Sequence, residues 1–483
     1  MSLHGSDAAA LARIAEEVMR ELKFVPHPPN DALRQASDAP ETPGPGQDVR
    51  DMRDVPWTSI DNPESRDLDQ IEAVEPLSEG TRLLIGIADV DALVPKNSPI
   101  DRFAAANTTS VYTGVRTFPM LPERLSFDIT SLLEGQPRFA MVYETVIGKD
   151  GSIGPVTVSR ARVRNGAKLD YPSVSAWLDG TGPMPRGLAS RPELQSQVRA
   201  QDELARSLAQ ARKLAGAIDV DTEETRPVME NGIVTGLVAN KQDRAGRIIE
   251  ELMVASNFAI ARSLDAARVP SIRRVVKQPE RWAKIVTYAG ERGVKLPAAP
   301  SSIELARFVD TMRRERPDEF AEISLSIVKL MGRGEYVAHA PGAREIGHFG
   351  LATMEYTHST APNRRFVDLV TQRLIKSMAR GASYSLEQLA DVAAHASERE
   401  VAAQKVERRV RKSAAASLLR SRVGQKFEGV VTGAEDKGTF VRMFNPPAEG
   451  KLVEGARGLR VGDRVTVTLR DTNVERGFID FAL

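Results

Sequence analysis

The stretch TSIDNPESRDLDQIEA, residues 58–73, constrains the fold more than any other part of the chain. Between Asp61 and Glu72, five acids stand against a single base, Arg66, for a local charge of −4. Ile60, Leu68 and Ile71 are interleaved with them, which argues against a freely solvated acidic tail. Like charges held this close raise one another's pKa, so the crowding is costly unless water or a cation relieves it. Hard divalent cations such as Mg²⁺ take oxygen ligands, usually a few carboxylates completed by water and substrate phosphate. In extended backbone Asp67 and Asp69 point the same way, and the step from Asp61 to Asp67 lets the loop fold back. On spacing alone a solvated acidic turn, a calcium loop and a magnesium site all remain open.

The rest of the chain limits what such a site could serve. With no cysteine, disulfides, thiolate catalysis and Cys-ligated zinc are excluded together. The six histidines are scattered without zinc-like spacing. Net charge is +1, so attraction to nucleic acid cannot come from bulk charge. Residues 399–426, however, carry nine Lys/Arg against two Glu, net +7. Anion-binding surface and cation-binding site therefore come from different parts of the chain. No signal-peptide stretch is present, nor an uncharged apolar run of the ~18 residues a membrane helix needs. A cytoplasmic protein without membrane contact is expected.

At 483 residues there is room for about two to four domains. Residues 6–25 have helical periodicity, with Ala10, Ile14, Val18 and Leu22 four apart and Ser6 or Asp7 as N-cap. Seven prolines follow between 26 and 56. Residues 1–50 thus read as a small helical element, helix-turn-helix in form, with a linker, or else as a disordered arm. TRLLIGIADV (81–90) has the pattern of a buried strand, and two more strands flank a turn at Lys149-Asp150-Gly151. Helices dominate from about 193. Strands early and helices late predict an α+β body over 51–420, helices packed on a sheet. Residues 421–483 change to short alternating strands with Gly-rich turns, the texture of a five-stranded OB barrel.

A second block, GHFGLATMEYTHSTAPNRRFVDLVTQRLI (347–375), sets Arg364 and Arg365 after a Thr-x-Pro turn at the start of an amphipathic helix. Free N–H groups at a helix start and fork-shaped guanidinium donors suit phosphate. Acid cluster and Arg-bearing helix start together are what phosphoryl transfer requires; a plain helix cap with solvated Arg is the alternative.

These blocks resemble the ribonuclease II family catalytic domain. The family's Thr-Ile-Asp segment with its following aspartates stands here as Ser59-Ile60-Asp61, Asp67, Asp69, Gln70. IADVDALV (87–94), SVYTGVRTFPMLPERLS (110–126), RARVRNGAKLDYPSV (160–174) and RIIEELMVASNFAIA (247–261) are further matches. The likeness runs from about Trp57 to Leu419, and the terminal barrel is similar to the family's S1 domain. The resemblance implies a processive, Mg²⁺-dependent exoribonuclease, a monomer in which single-stranded RNA is threaded from its 3′ end and nucleoside 5′-monophosphates are released. Carried over by position, Asp61, Asp67 and Asp69 are metal and catalytic carboxylates, with Gln70 in a fourth ligand position. Tyr171 and Glu407 would hold the terminal nucleotide, and Arg364 would steady the scissile phosphate. Arg365 and Arg408 add substrate contacts, and Phe427, Lys437, Phe440 and Arg442 are the barrel's RNA-binding candidates.

Two departures matter. Gln70 replaces the last aspartate of the quartet, and TAPNRRF stands where TSPIRRY is usual, which alters the turn before Arg364. The family's paired N-terminal barrels have no room before Trp57, so a channel mouth open to duplex with a 3′ overhang is expected. If Gln70 disables the metal site, the chain is instead a catalytically weak RNA-binding protein on the same fold. A plain RNA-binding module with likeness only in the barrel is the third reading.

Overall fold

The structure, a computed structural model, describes residues 7–41, 49–220, 224–240, 242–378, 383–435 and 438–483. Apolar strand patterns between Arg50 and Asp170 assemble into one seven-stranded sheet. Its order is Arg50–Asp51, Ile153–Arg164, Pro137–Gly148, Gly80–Ala88, Gln70–Pro76, Thr58–Asp61, Ala167–Asp170. The centre is antiparallel, while the two edge pairings are parallel. The turn between the two longest strands contains Gly151 at φ 80°, a left-handed conformation that favours glycine.

The acidic run lies where this sheet positions it. Thr58 pairs with Glu72, so residues 61–70 close the loop between two antiparallel strands and bring their carboxylates to one sheet end. Asp61 is in register with Asp170 of the neighbouring edge strand. The helix Tyr171–Leu178 starts at the next residue, which sets Tyr171 beside Asp61.

Helices Pro192–Leu214, Arg244–Ala266 and Phe366–Ser377 contribute to the main core, in which Leu83, Ile85 and Ile87 are fully buried against groups such as Leu252 and Leu369. Each such side chain contributes roughly 1.5–3 kcal/mol of burial. The 34-residue helix Leu386–Leu419 opens on a capping box made by Ser385 and Gln388. Its Ala402, Val406 and Val410 pack on Leu11, Ile14 and Val18 of the helix Asp7–Glu21. Its last turn inserts Ala416 and Leu419 into the barrel core with Val467 and Phe481. The barrel is closed, in the order Lys426–Glu435, Gly438–Met443, Glu449–Glu454, Phe478–Ala482, Arg464–Asn473.

The mixed sheet-and-helix body with a terminal five-stranded barrel is therefore the expected α+β architecture. The N-terminal segment is docked: Asp7–Glu21 lies on the long helix, and Ala32 and Ala36 of Asn30–Asp38 enter the main core. Ser6 lies outside the described residues. Two short ribbons interrupt the region read as helical, Glu224–Glu230 with Ile233–Asn240 and Ser271–Val275 with Glu335–His339. The first leaves Ile233 and Val238 exposed. No helix of the described residues is long and apolar enough to cross a membrane.

Candidate active site

Asp69 is the deepest carboxylate of the loop, only 2% exposed. Its Oδ1 accepts the Asn363 N–H at 2.8 Å, and its Oδ2 accepts Arg364 Nε–H at 3.1 Å. Burial pushes its pKa up to about 7, with Arg364 pulling it down and Asp67 pushing it further up. Asp61 is also raised, first by burial, against hydrogen bonds from the Asn62 N–H at 2.6 Å and Ser65 Oγ–H at 2.9 Å. Asp67 accepts the Tyr112 hydroxyl at 2.5 Å. Gln70 begins the strand Gln70–Pro76 and is buried.

The turn that delivers Arg364 is built by another buried acid. Asp368, in the first turn of the helix Phe366–Ser377, accepts the Ala361 N–H at 2.9 Å. It also takes two hydrogen bonds from Arg365, at 2.7 and 2.8 Å. Asn363 is fixed from its other side, its Oδ1 accepting Thr130 Oγ–H at 2.6 Å. The altered turn sequence thus still aims Arg364 at Asp69. Arg365 is taken up by Asp368 and does not line the cavity.

Asp61, Asp67, Asp69, Gln70, Tyr171, Arg364 and Glu407 all line one cavity of about 830 Å³. Glu407 comes from the long helix and accepts the Tyr112 N–H at 3.1 Å. Tyr112, which sequence reasoning did not single out, thereby touches both the acid loop and the helix. Its only signal was its place in the SVYTGV block. Arg66, Arg116, Arg226 and Arg411 add cations to the wall, and Phe127 adds a ring with Arg66 5.0 Å from its centre. Arg226 comes from the unexpected ribbon and pairs with Glu64 at 2.8 Å.

Arg408 points elsewhere, because adjacent helix residues are rotated by about 100°. It meets Phe440 in a second cavity of about 520 Å³ between helix and barrel, with Lys405, Arg409, Lys412 and Lys451. Phe427 is half-buried against the barrel core, with Arg422 5.9 Å from its ring centre. Arg442 lines neither cavity. Lys437 lies outside the described residues.

The donors suit a hard cation in kind: carboxylates of Asp61, Asp67 and Asp69 with the Gln70 amide oxygen on one cavity. They do not form a closed cage, since no three carboxylates or imidazoles of the described residues are grouped to hold a metal ion. Two of the carboxyls are raised by burial, a cost that a bound cation relieves. Just behind them Glu72 is fully buried and raised, first by burial and then by Asp61.

Comparison with known proteins agrees with this geometry. The RNB domain family matches residues 49–381, and the RNase II-type exonuclease C-terminal S1 domain matches residues 425–483. Ribonuclease R 1 of Lactococcus lactis is 29% identical over 89% of this chain and 53% of its own length. Ribonuclease R of Thermotoga maritima is 30% identical over 90% of this chain and 64% of its own. The chain thus spans between about half and two thirds of these relatives. The fold of Mycoplasma genitalium RNase R with ribose-methylated single-stranded RNA superposes with a TM-score of 0.88 at 22% identity, covering 98% of this chain and 78% of that one. With its catalytic block matched over 49–381 and its acid loop and arginine turn joined in one cavity, the chain belongs to the RNB domain family.

Proposed function

We propose that this chain is a hydrolytic 3′-to-5′ exoribonuclease acting on single-stranded RNA and releasing nucleoside 5′-monophosphates. The observation that carries the reading is the Asp69–Arg364 pair on the wall of a cavity that also gathers Asp61, Asp67 and Tyr171.

In this reading the wall cations Arg66, Arg116, Arg226 and Arg411 attract the phosphate backbone. Tyr171, Tyr112 and Phe127 offer ring faces for the terminal bases. Glu407, held by the Tyr112 N–H, receives the last ribose. Arg364 is tied to Asp69 through Nε, which leaves its terminal nitrogens to donate to the scissile phosphate. Asp69, increasingly ionised as pH rises past about 7, orients the attacking water. Asp61, Asp67, Asp69 and Gln70 would hold Mg²⁺, which supplies Lewis-acid neutralisation of phosphate charge and a more acidic water. Upstream RNA lies along the basic groove of Arg408, Arg409, Lys412 and Phe440 towards the barrel. A 3′-overhanging duplex is a second substrate; a Mycoplasma genitalium RNase R structure holds double-stranded RNA.

The test uses 5′- and 3′-labelled single-stranded RNA with Mg²⁺ or EDTA. The 5′ label should pass with few intermediates to a short oligomer, and only with metal. Internal cuts in circular RNA would overturn the exonuclease reading. RNA binding without metal-dependent hydrolysis, restored by Gln70→Asp, would establish the weak RNA-binding protein instead.

A further inference from the structure

The helix Leu386–Leu419 carries Glu407 to the catalytic cavity, and Glu400 stands seven residues before it. At about 100° per residue the two share one face, about 10 Å apart along the axis. Glu400 is held by a fork: Arg274 Nη1–H donates to its Oε2 at 2.6 Å and Nη2–H to its Oε1 at 3.0 Å. The guanidinium lies over the Tyr336 ring, 4.7 Å from its centre. Gly334 makes room for it, because a Cβ there would stand 2.8 Å from Nη2. One turn before Glu400, Ser397 Oγ accepts the Tyr336 N–H at 2.8 Å.

The strand that bears Arg274, Ser271–Val275, also holds the segment leading to Arg364. The Arg274 N–H donates to the Tyr356 carbonyl at 2.9 Å, and Thr357 Oγ–H donates to the Ile272 carbonyl at 2.6 Å. Arg274 thus joins the arginine block to the helix of Glu407, although neither Arg274 nor Glu400 lines the cavity. The helix is also gripped on another face, where Ala402, Val406 and Val410 meet Leu11 and Ile14. Apolar burial is non-directional, whereas a two-bond fork fixes both rotation and slide. We propose that Arg274 and Glu400 are positioning residues for the 3′-terminal nucleotide, setting where Glu407 stands relative to Arg364. The inference rests on the reading in which Glu407 receives the last ribose.

The test compares a 5′-labelled RNA with its twin carrying a 2′-deoxy 3′-terminal nucleotide, each in single turnover below saturating enzyme. Arg274→Gln and Glu400→Gln should each shrink the wild-type preference for the ribose end about tenfold, the worth of one hydrogen bond to a charged group. The change should fall on KM more than on kcat. Gly334→Ala keeps Arg274 but dislodges its fork, and should shrink the preference too; the backbone of Gly334 lies outside the left-handed region, so alanine fits it. In a Glu407→Ala background, Arg274→Gln should shrink the preference no further, whereas general destabilisation would slow both RNAs alike. If Arg274→Gln does not fold, Gly334→Ala carries the same comparison. An unchanged preference in the folded variants, or effects that add to Glu407→Ala, overturns the inference and leaves the exoribonuclease reading standing. Wild type that cleaves both RNAs at one rate also overturns it. Wild type that removes no 3′-terminal nucleotide overturns both.

Discussion

Asp69→Asn should remove activity and, as pH rises, gain stability relative to wild type. Asp69 is buried and its pKa is raised from the ordinary 3.8 to about 7, chiefly by burial. The folded chain therefore holds this proton more tightly than the unfolded chain does. Between these two values the unfolded state has released the proton and the native state has not, so stability falls as pH rises. The displacement from 3.8 to about 7 corresponds to about 4 kcal/mol across the whole window, of which about 3 kcal/mol falls between pH 5 and pH 8. Asn does not titrate and escapes this loss. It also forfeits the charge-assisted bond from Arg364, worth about 1.5–3 kcal/mol. Urea unfolding in EDTA should thus find Asp69→Asn gaining about 3 kcal/mol on wild type between pH 5 and pH 8, with RNA affinity retained and turnover lost. A stability difference that is flat with pH, or that shrinks as pH rises, would falsify the buried, proton-holding Asp69.

Arg364→Ala should lower single-turnover cleavage by about 10²–10³-fold, the cost of one transition-state donor, while RNA binding measured by anisotropy persists. Because Arg364 holds the Asp69 pKa down, the pH–rate profile of the residual activity should move to higher pH; an unmoved profile contradicts the contact. Arg399→Ala breaks hydrogen bonds to the Leu22 and Lys23 carbonyls, at 2.6 and 2.8 Å, and a contact with Phe24. It should cost about 2–4 kcal/mol and expose the Asp7–Glu21 helix to proteolysis, and a wild-type melting temperature would refute that clasp. Gln70→Asp should lower the Mg²⁺ concentration for half-maximal cleavage, and Gln70→Ala should leave measurable activity; complete loss in Gln70→Ala would show that the amide is indispensable.

The grouping of the acid loop and the strands around it was legible in the sequence because these features are encoded within short spans. Asp61, Asp67, Asp69 and Gln70 occupy one loop, and apolar alternation marked the strands on either side of the 149–151 turn and of the barrel. The helices Pro192–Leu214 and Arg244–Ala266 showed their 3.6-residue period. What tertiary structure decided was which residues meet across long separations. That Asp69 accepts from Asn363 and Arg364, nearly three hundred positions away, follows from Asp368 anchoring a turn against the sheet end, and no local pattern records that. Tyr112 bridges Asp67 and Glu407, and Arg365 turns to Asp368 rather than to the cavity wall. The long helix illustrates the same rule: Glu407 faces the acid cavity while Arg408 turns to the barrel groove, one residue and about 100° apart. Residue type and period are properties of the chain, but burial, and with it the charge state of Asp69 and the orphaned carboxyl of Glu72, exists only once the sheet and its helices have closed around them.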